Sequence, residues 1–262
     1  MSLEHVAAVA TVQPADFISH LSIKYGSRDL LARYFLLADR RLRERGVVLT
    51  FGTFRELLDI NVVNRSNWLP LTPTFNCSYN ELAGDTSFCL IGRDTSGVAV
   101  ASHAGRLFDW RSGSFAEAAE SLRLFYDKPE RDALTGETCK VTSVTAPYLG
   151  GMVSYTGAVW YRPDYRGLGL PFYVSRIARA YAYAQWSVDY AVGMVSDANV
   201  SKGLTDKTGN SHIERGVHSR GSTHGDVDYH IVWSTPREIF AQLTAVLAGD
   251  EGRGSMIDQR RA

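Results

Sequence analysis

The feature that most constrains the fold is a glycine-bearing turn between a predicted strand and a predicted helix. The turn occupies residues 162–171 and reads RPDYRGLGLP. The residues before it, 152–161, are rich in Val, Tyr, Thr and Trp, which are typical of strands. Pro171 then suits the first turn of a helix, because the amide it lacks has no partner there. A strand, a glycine turn and a helix in succession indicate an α/β fold.

This turn also has the chemistry of an anion site. Gly167 and Gly169 can adopt positive φ and let a ligand approach the main chain closely. The N–H groups and the positive end of the macrodipole at a helix start attract phosphates. The turn therefore predicts a pyrophosphate site, although an ordinary glycine-rich connection in another α/β protein has the same appearance.

The turn resembles the signature of the GNAT superfamily of acyl-CoA-dependent N-acetyltransferases, which is Arg or Gln, two residues, Gly, one residue, then Gly or Ala. Arg166 and Gly169 match the first two fixed positions, and Pro171 replaces the third, which removes one amide. The resemblance implies an α/β fold with a mixed, splayed β-sheet flanked by helices. The splay would lie between strands 152–161 and 190–195, with acetyl-CoA or another acyl-CoA between them as co-substrate.

The same resemblance implies which residues hold the acyl-CoA. The main chain of one strand end would hold the pantetheine arm and the acyl carbonyl, and the main chain of the turn would hold the phosphates. The strand residues are Val159, Trp160 and Tyr161, and the turn residues are Arg166, Gly167, Leu168, Gly169 and Leu170.

Acyl transfer to an amine requires a base for the amine, donors for the oxyanion and an acid for the thiolate. Many GNAT proteins carry an Asn just after the strand that corresponds to 190–195 here, and Asn199 matches it. The tyrosine that often follows as general acid is missing, since the chain has no tyrosine at 191–228. Ser201 is the nearest hydroxyl, and water is the other candidate.

Three further residues are candidates for catalysis. Asp197, at the end of the strand predicted at 190–195, and His103, within a predicted strand, are candidate bases. Tyr155 could orient either partner. Each has a structural interpretation as well: Asp197 as a helix cap, His103 as a hydrogen-bonded sheet residue and Tyr155 as core.

Periodicity and turn residues predict the other elements. Helices are expected at 27–45, 54–62, 115–126, 171–187 and from 236 onward, and strands at 47–51, 86–92, 98–108, 140–144, 152–161, 190–195 and 228–233. We expect a loose leader (1–15), an N-terminal helical elaboration on the substrate side (16–84), a GNAT-like acyltransferase core (85–248) and a disordered tail (249–262).

The polar, glycine-rich segment 196–225 is expected to be a loop with one or two helical turns. Histidines at 212, 218, 224 and 230 recur every six residues and would share one face of a continuous strand. Intervening glycines argue against such a strand, and the spacing is not a zinc pattern. We therefore expect no metal and interpret the segment as a candidate substrate lid.

The composition of the chain bears on which partners it binds and in which cellular compartment it is found. The 28 basic and 28 acidic side chains give a net charge of zero, which argues against nucleic-acid and membrane partners. No apolar run approaches the ~20 residues of a membrane span, and the N-terminal residues do not have the pattern of a secretory signal. Three cysteines without paired spacing favour the cytoplasm.

These observations predict an N-acyltransferase, most simply an acetyltransferase, whose acceptor is a small-molecule, amino-acid-like or protein amine. Pro171 and the missing tyrosine leave open a GNAT-like domain that binds acyl-CoA or a partner without turnover. A related acyltransferase that uses acyl-carrier protein or aminoacyl-tRNA as donor is the third alternative. A homodimer is left open as well.

Overall fold

The structure, a computed structural model, describes residues 16–258. The leader predicted at 1–15 and residues 259–262 lie outside the described residues. The helices are α1 (Arg28–Arg43), α2 (Phe54–Val63), α3 (Phe115–Glu120), α4 (Pro129–Asp132), α5 (Leu170–Trp186), α6 (Asp197–Val200), α7 (Leu204–Thr208) and α8 (Pro236–Asp258). The strands are β1 (Val48–Gly52), β2 (Ser87–Arg93), β3 (Ala99–Trp110), β4 (Thr138–Val141), β5 (Gly151–Tyr161), β6 (Tyr190–Ser196), β7 (His212–Ser222) and β8 (Gly225–Ser234).

All eight strands form one sheet in the order β1-β2-β3-β5-β6-β8-β7-β4. Neighbouring strands are antiparallel except β5 and β6, which are parallel. Pairing between these two is confined to Val153–Tyr155 on β5 and Tyr190–Val192 on β6. The rest of β5 has no partner on β6, so the sheet opens there. The mixed, splayed sheet flanked by helices that the resemblance implied is confirmed.

Helices cover both faces of the sheet and bury two hydrophobic cores. On one face, α1, α5 and α8 pack over β1, β2, β3 and β5. On the other face, α2, α3 and the loop that follows α2 enclose the second core. Caps explain several helix starts: the side chains of Ser27 and Thr53 accept from Leu30 N and Glu56 N, and Thr235 and Glu238 bond reciprocally before α8.

The segment predicted as a helical elaboration, 16–84, contributes two helices and a strand. As predicted, α1 and α2 lie there, and β1 lies at the edge of the sheet, antiparallel to β2. Because β1 belongs to the same sheet as the core, the boundary between residues 84 and 85 stays a prediction.

Three element predictions were wrong. The expected loop at 196–225 contains the strand β7, which pairs with both β8 and β4. In the sequence, the glycines in this segment argue against a continuous strand. At one of them, Gly216, φ is +138° and a bulge allows β7 to continue. The helix predicted at 115–126 ends at Glu120, two residues before Leu122, which has positive φ. The last helix, α8, continues to Asp258, whereas a disordered tail was predicted from residue 249.

None of the helices in the described part of the chain combines the length and the hydrophobicity that a membrane span requires.

Candidate active site

The glycine turn leaves open space beside its main chain. Gly167 and Gly169 have φ of +82° and +72°, and no atom lies within 4 Å of where a Cβ would stand on either. No hydrogen bond within residues 16–258 uses their N–H groups. Gly169 is the residue before α5, and Pro171 lies in its first turn as expected. The turn can therefore receive an anion at its N–H groups without displacing a side chain.

Hydrogen bonds join the turn to the end of β5. The Arg166 guanidinium donates to the carbonyl oxygens of Tyr161 at 3.0 Å and Asn67 at 3.2 Å. The Asn67 side chain accepts from the Trp160 indole N–H at 2.7 Å, and the Trp160 ring stacks on Trp68 with centroids 5.1 Å apart. The residues predicted for the cofactor at 159–161 and 166–170 thus lie together at the open end of β5.

Arg45 supplies a cation to the turn that sequence reasoning missed. Its Nε donates to the carbonyl oxygen of Leu168 at 2.8 Å, and its Cζ lies 5.2 Å from the centre of the Tyr173 ring. Arg45 follows α1, and packing of α1 on α5 brings it to the turn. No local sequence signal connects the two, because 123 residues separate them.

A bulge distorts β5 where the cleft opens. Ala158 has φ of +50°, and the register with β3 shifts between Ser102 and Ala104. The Ser102 hydroxyl donates to the carbonyl oxygen of Ala158 at 2.7 Å. Bulges of this kind leave a residue outside the ladder and re-aim the main chain. The main chain at Ala158 therefore leaves the regular ladder of hydrogen bonds. The next residue, Val159, is one of those predicted to hold the acyl group.

His103 lies in β3 within this register shift and is buried. Neither ring nitrogen has a hydrogen-bond partner among the described residues. Burial, together with the charge of Arg179, lowers the pKa of His103 to about 3. The ring is therefore neutral at pH 7 and, in this structure, is closed off from solvent at 3% exposure.

Tyr155 lies on the opposite face of the sheet from His103. Its ring stacks on Phe75 with centroids 5.8 Å apart, inside the second core. Burial raises the pKa of Tyr155 well above its ordinary value. His103 instead faces the side of Arg179 and α5, so the structure does not bring the two predicted residues together.

The other three predicted catalytic residues are brought together after β6. Asp197 begins α6, and Asn199 and Ser201 follow it on the exposed surface. The Ser201 hydroxyl donates to the carbonyl oxygen of Asp197 at 2.9 Å. The Asp197 carboxylate accepts from Arg215 at 2.6 Å, and its other oxygen lies 3.1 Å from Nδ1 of His230.

A charged network that sequence reasoning missed continues along β7 and β8. Asp228 accepts from His218 at 3.0 Å and from Arg220 at 2.6 Å, and Arg215 lies 3.3 Å from it. These contacts, that of His218 first, lower the pKa of Asp228 to about 2. The network was missed because its residues meet only when β7 pairs with β8, and β7 was expected to be a loop.

The four regularly spaced histidines have four different surroundings. Nε2 of His212 lies 2.6 Å from Glu238, and Nε2 of His224 lies 2.6 Å from the carbonyl oxygen of Pro70. His218 and His230 contact the aspartates already described. Among residues 16–250, whose side chains the structure describes, no group of three or more His, Cys, Asp or Glu could hold a metal ion.

Comparison with known proteins gives matches among solved structures alone. No protein-family profile matches the sequence, and no curated protein does. The chain is similar to RimJ of Mycobacterium smegmatis in complex with CoA-disulfide, with 11% identity over 76% of this chain and 88% of that one and a TM-score of 0.42. It is similar to a spermidine N-acetyltransferase SpeG chimera from Vibrio cholerae and hSSAT (9% identity, 75% and 99% covered, TM-score 0.43). It is also similar to an acetyltransferase of the GNAT family from Streptococcus pneumoniae (10% identity, 72% and 98% covered, TM-score 0.41). Overlaps of this size and identity assign neither a family nor an activity to this chain.

Proposed function

We propose that the chain is an acyl-CoA-dependent N-acyltransferase of the GNAT superfamily, which transfers an acetyl group from acetyl-CoA to an amine. One observation carries the proposal: the only parallel pair in the described sheet separates after Tyr155, beside an open glycine turn at the start of α5. A cleft between two strands that ends at unpaired N–H groups suits a long thioester with a diphosphate.

In this proposal the main chain of Arg166–Leu170 holds the diphosphate, and the main chain of Val159–Tyr161 holds the pantetheine arm. The amine nitrogen attacks the acyl carbon, the carbon–sulfur bond breaks, and the thiolate leaves with a proton. Asp197 accepts the proton of the amine, because it directly follows β6, which forms one side of the cleft, and its carboxylate is 38% exposed. Asn199 orients the amine, and Ser201 or water protonates the thiolate.

The acceptor class and the compartment belong to the same proposal. The acceptor is a small-molecule, amino-acid-like or protein amine in the cytoplasm, with no nucleic-acid or membrane partner and no metal. The balanced charge of the chain supports the absence of a polyanionic partner.

Calorimetry with acetyl-CoA tests the cofactor part of the proposal. Leu168 is 42% exposed within the turn, so a carboxylate there meets the diphosphate without disturbing the core. We expect Leu168→Glu to weaken acetyl-CoA binding at least tenfold through charge repulsion, whereas Leu168→Gln, its matched neutral control, binds within about threefold of wild type. Failure of the folded wild-type protein to bind acetyl-CoA or longer acyl-CoAs would refute the proposal.

A second candidate, a GNAT-like domain that binds acyl-CoA without turnover, has one specific observation in its favour. His103 and Tyr155 are buried on opposite faces of the sheet, and the Ser201 hydroxyl bonds to its own helix. Tight binding of acetyl-CoA with no product from a broad panel of amines would favour this candidate. Transfer from acyl-carrier protein or aminoacyl-tRNA, without transfer from acyl-CoA, would favour the third class of donor.

A further inference from the structure

Three adjacent strands, β4, β7 and β8, place a row of polar side chains on one face of the sheet. His218 of β7 pairs directly with Lys140 of β4 on one side and with Asp228 of β8 on the other. Directly paired residues of neighbouring strands project to the same face. Thr142 follows the end of β4, two residues after Lys140, and extends the row. Because β4 is the edge strand, the row lies away from the cleft between β5 and β6.

Hydrogen bonds connect three of these side chains in sequence. Nδ1 of His218 lies 3.0 Å from the Asp228 carboxylate, and Nε2 of the same ring lies 3.0 Å from the Thr142 hydroxyl oxygen. The contacts with His218 and Arg220 lower the pKa of Asp228 to about 2, so the carboxylate accepts and Nδ1 carries the hydrogen. In the neutral ring Nε2 is then the acceptor, and the Thr142 hydroxyl donates to it.

A hydroxyl, a histidine and a carboxylate joined in this order are the arrangement that nucleophilic acyl transfer uses. The imidazole takes the hydroxyl proton as the oxygen attacks, and the carboxylate orients the ring and stabilises the imidazolium. Such a triad is defined by its geometry and not by the positions of its residues in the chain. Thr142 is exposed and the His218 side chain is 26% exposed, so an ester can reach both reacting atoms.

The main chain fixes the hydroxyl, and a cation lies next to it on the same face. The Thr142 N–H donates to the carbonyl oxygen of Gly216 at 2.7 Å, which holds Thr142 beside the bulge in β7. Lys140 is exposed and forms no ion pair with the part of the chain that the structure describes. Its ammonium group can therefore stabilise the negative charge that develops on an acyl oxygen.

We propose that Thr142, His218 and Asp228 form a second acyl-transfer site, which hydrolyses activated esters through an acyl-threonine. Oγ of Thr142 attacks the acyl carbon, and its proton passes to Nε2 of His218. The bond to the leaving oxygen breaks, and the alcohol or phenol leaves with that proton. Water then attacks the acyl-threonine with the same imidazole as base, which releases the carboxylic acid and restores the hydroxyl. Asp228 acts through His218 as a positioning residue.

Hydrolysis of 4-nitrophenyl acetate by the full chain, measured as release of 4-nitrophenolate, tests the site. We expect Thr142→Val and His218→Gln to lower the rate at saturating ester at least tenfold, because each loses a reacting group. Thr142→Ser keeps the hydroxyl and should retain activity. Thr138→Val is the matched control, because Thr138 is exposed on the same strand and pairs with Arg220 instead of His218. This control should stay within about twofold of wild type.

Asp228→Asn tests the positioning role. We expect kcat to fall at least tenfold while the KM for the ester stays within about twofold, because the amide stabilises an imidazolium less well and does not contact the ester.

Mass spectrometry of the quenched reaction locates the acetyl group, which we expect on Thr142. An acetyl group found on Lys140 in place of Thr142, or an unchanged rate in Thr142→Val, overturns the inference. Absence of hydrolysis above the buffer rate by the wild-type protein overturns it as well. None of these measurements requires acyl-CoA, so the outcome is independent of the proposed function.

Discussion

The guanidinium Nε of Arg45 donates to the carbonyl oxygen of Leu168 at 2.8 Å. This bond places a positive charge from the end of α1 beside the glycine turn at the start of α5. Nη1 of Arg45 donates to the carbonyl oxygen of Arg41 at 2.5 Å, so Nη2 is the nitrogen that can face a nearby anion. The helix outside the predicted acyltransferase core thus contributes directly to the predicted phosphate site.

Replacing Arg45 by glutamine should weaken acetyl-CoA binding about fivefold, because one exposed charged contact contributes about 1 kcal/mol. The loss should shrink as salt is raised, since salt screens the same attraction. Titration calorimetry at low and high ionic strength measures both effects. Arg55→Gln is the control: it makes the same charge change on α2, where Arg55 pairs with Asp59. Equal weakening by both variants would mean that Arg45 acts only through net charge.

The buried His103 should make the protein less stable in acid. Its pKa is about 3 in the folded state and about 6.5 in an unfolded chain. Between pH 6.5 and pH 3, His103 is therefore protonated in the unfolded state and neutral in the folded state. The free energy of unfolding falls as the pH drops through this range. Between pH 7 and pH 5 this loss amounts to about 2 kcal/mol.

Urea unfolding at pH 7 and pH 5 measures the contribution of His103. His103→Gln is neutral at both values, so the variant should lose about 2 kcal/mol less than the wild type over this interval. Other titrating groups contribute equally to both proteins and cancel in the comparison. Parallel losses in the two proteins would place His103 in contact with water rather than in a closed interior.

Much of the fold could be predicted because its signals are local. The start of α1 at Ser27 and the start of α8 after Thr235 follow from capping residues, and the β2–β3 hairpin follows from alternation and a turn. The splay between β5 and β6 came from the resemblance carried by Arg166 and Gly169. These features are set by short stretches of sequence and do not depend on distant contacts.

The candidate site could be predicted only in part, because its other features depend on distant pairing. Arg45 reaches Leu168 through the packing of two helices, and Arg215 reaches Asp197 through the pairing of β7 with β8. The strand β7 was missed because glycine is rare inside strands except at bulges, and the sequence does not show that Gly216 lies at a bulge. The opposite orientations of His103 and Tyr155 depend on strand register, which a sequence without the fold does not specify.

The bulge at Gly216 should tolerate no side chain. A Cβ on this residue would lie 2.5 Å from the backbone nitrogen of Ser143, and its φ of +138° is unfavourable for other residues. We expect Gly216→Ala to lower the free energy of unfolding by at least about 2 kcal/mol, because backbone atoms cannot move aside cheaply. Gly84→Ala is the control, since Gly84 has open space around it and no positive φ. Thermal unfolding compares the two, and similar stabilities would show that β4 and β7 can separate at little cost.

Replacing Asp197 by asparagine should lower kcat without weakening acetyl-CoA binding. The amide oxygen can still accept from Arg215, which now lies 2.6 Å from the carboxylate, while the group loses its ability to take a proton. General base catalysis contributes roughly a hundredfold or more, so we expect a fall in kcat of that order with an acceptor found by screening. Asp206→Asn, on the exposed surface of α7, makes the same charge change and should leave kcat within about twofold. An unchanged kcat in Asp197→Asn, or a loss confined to the KM of acetyl-CoA, would mean that another group or water accepts the proton.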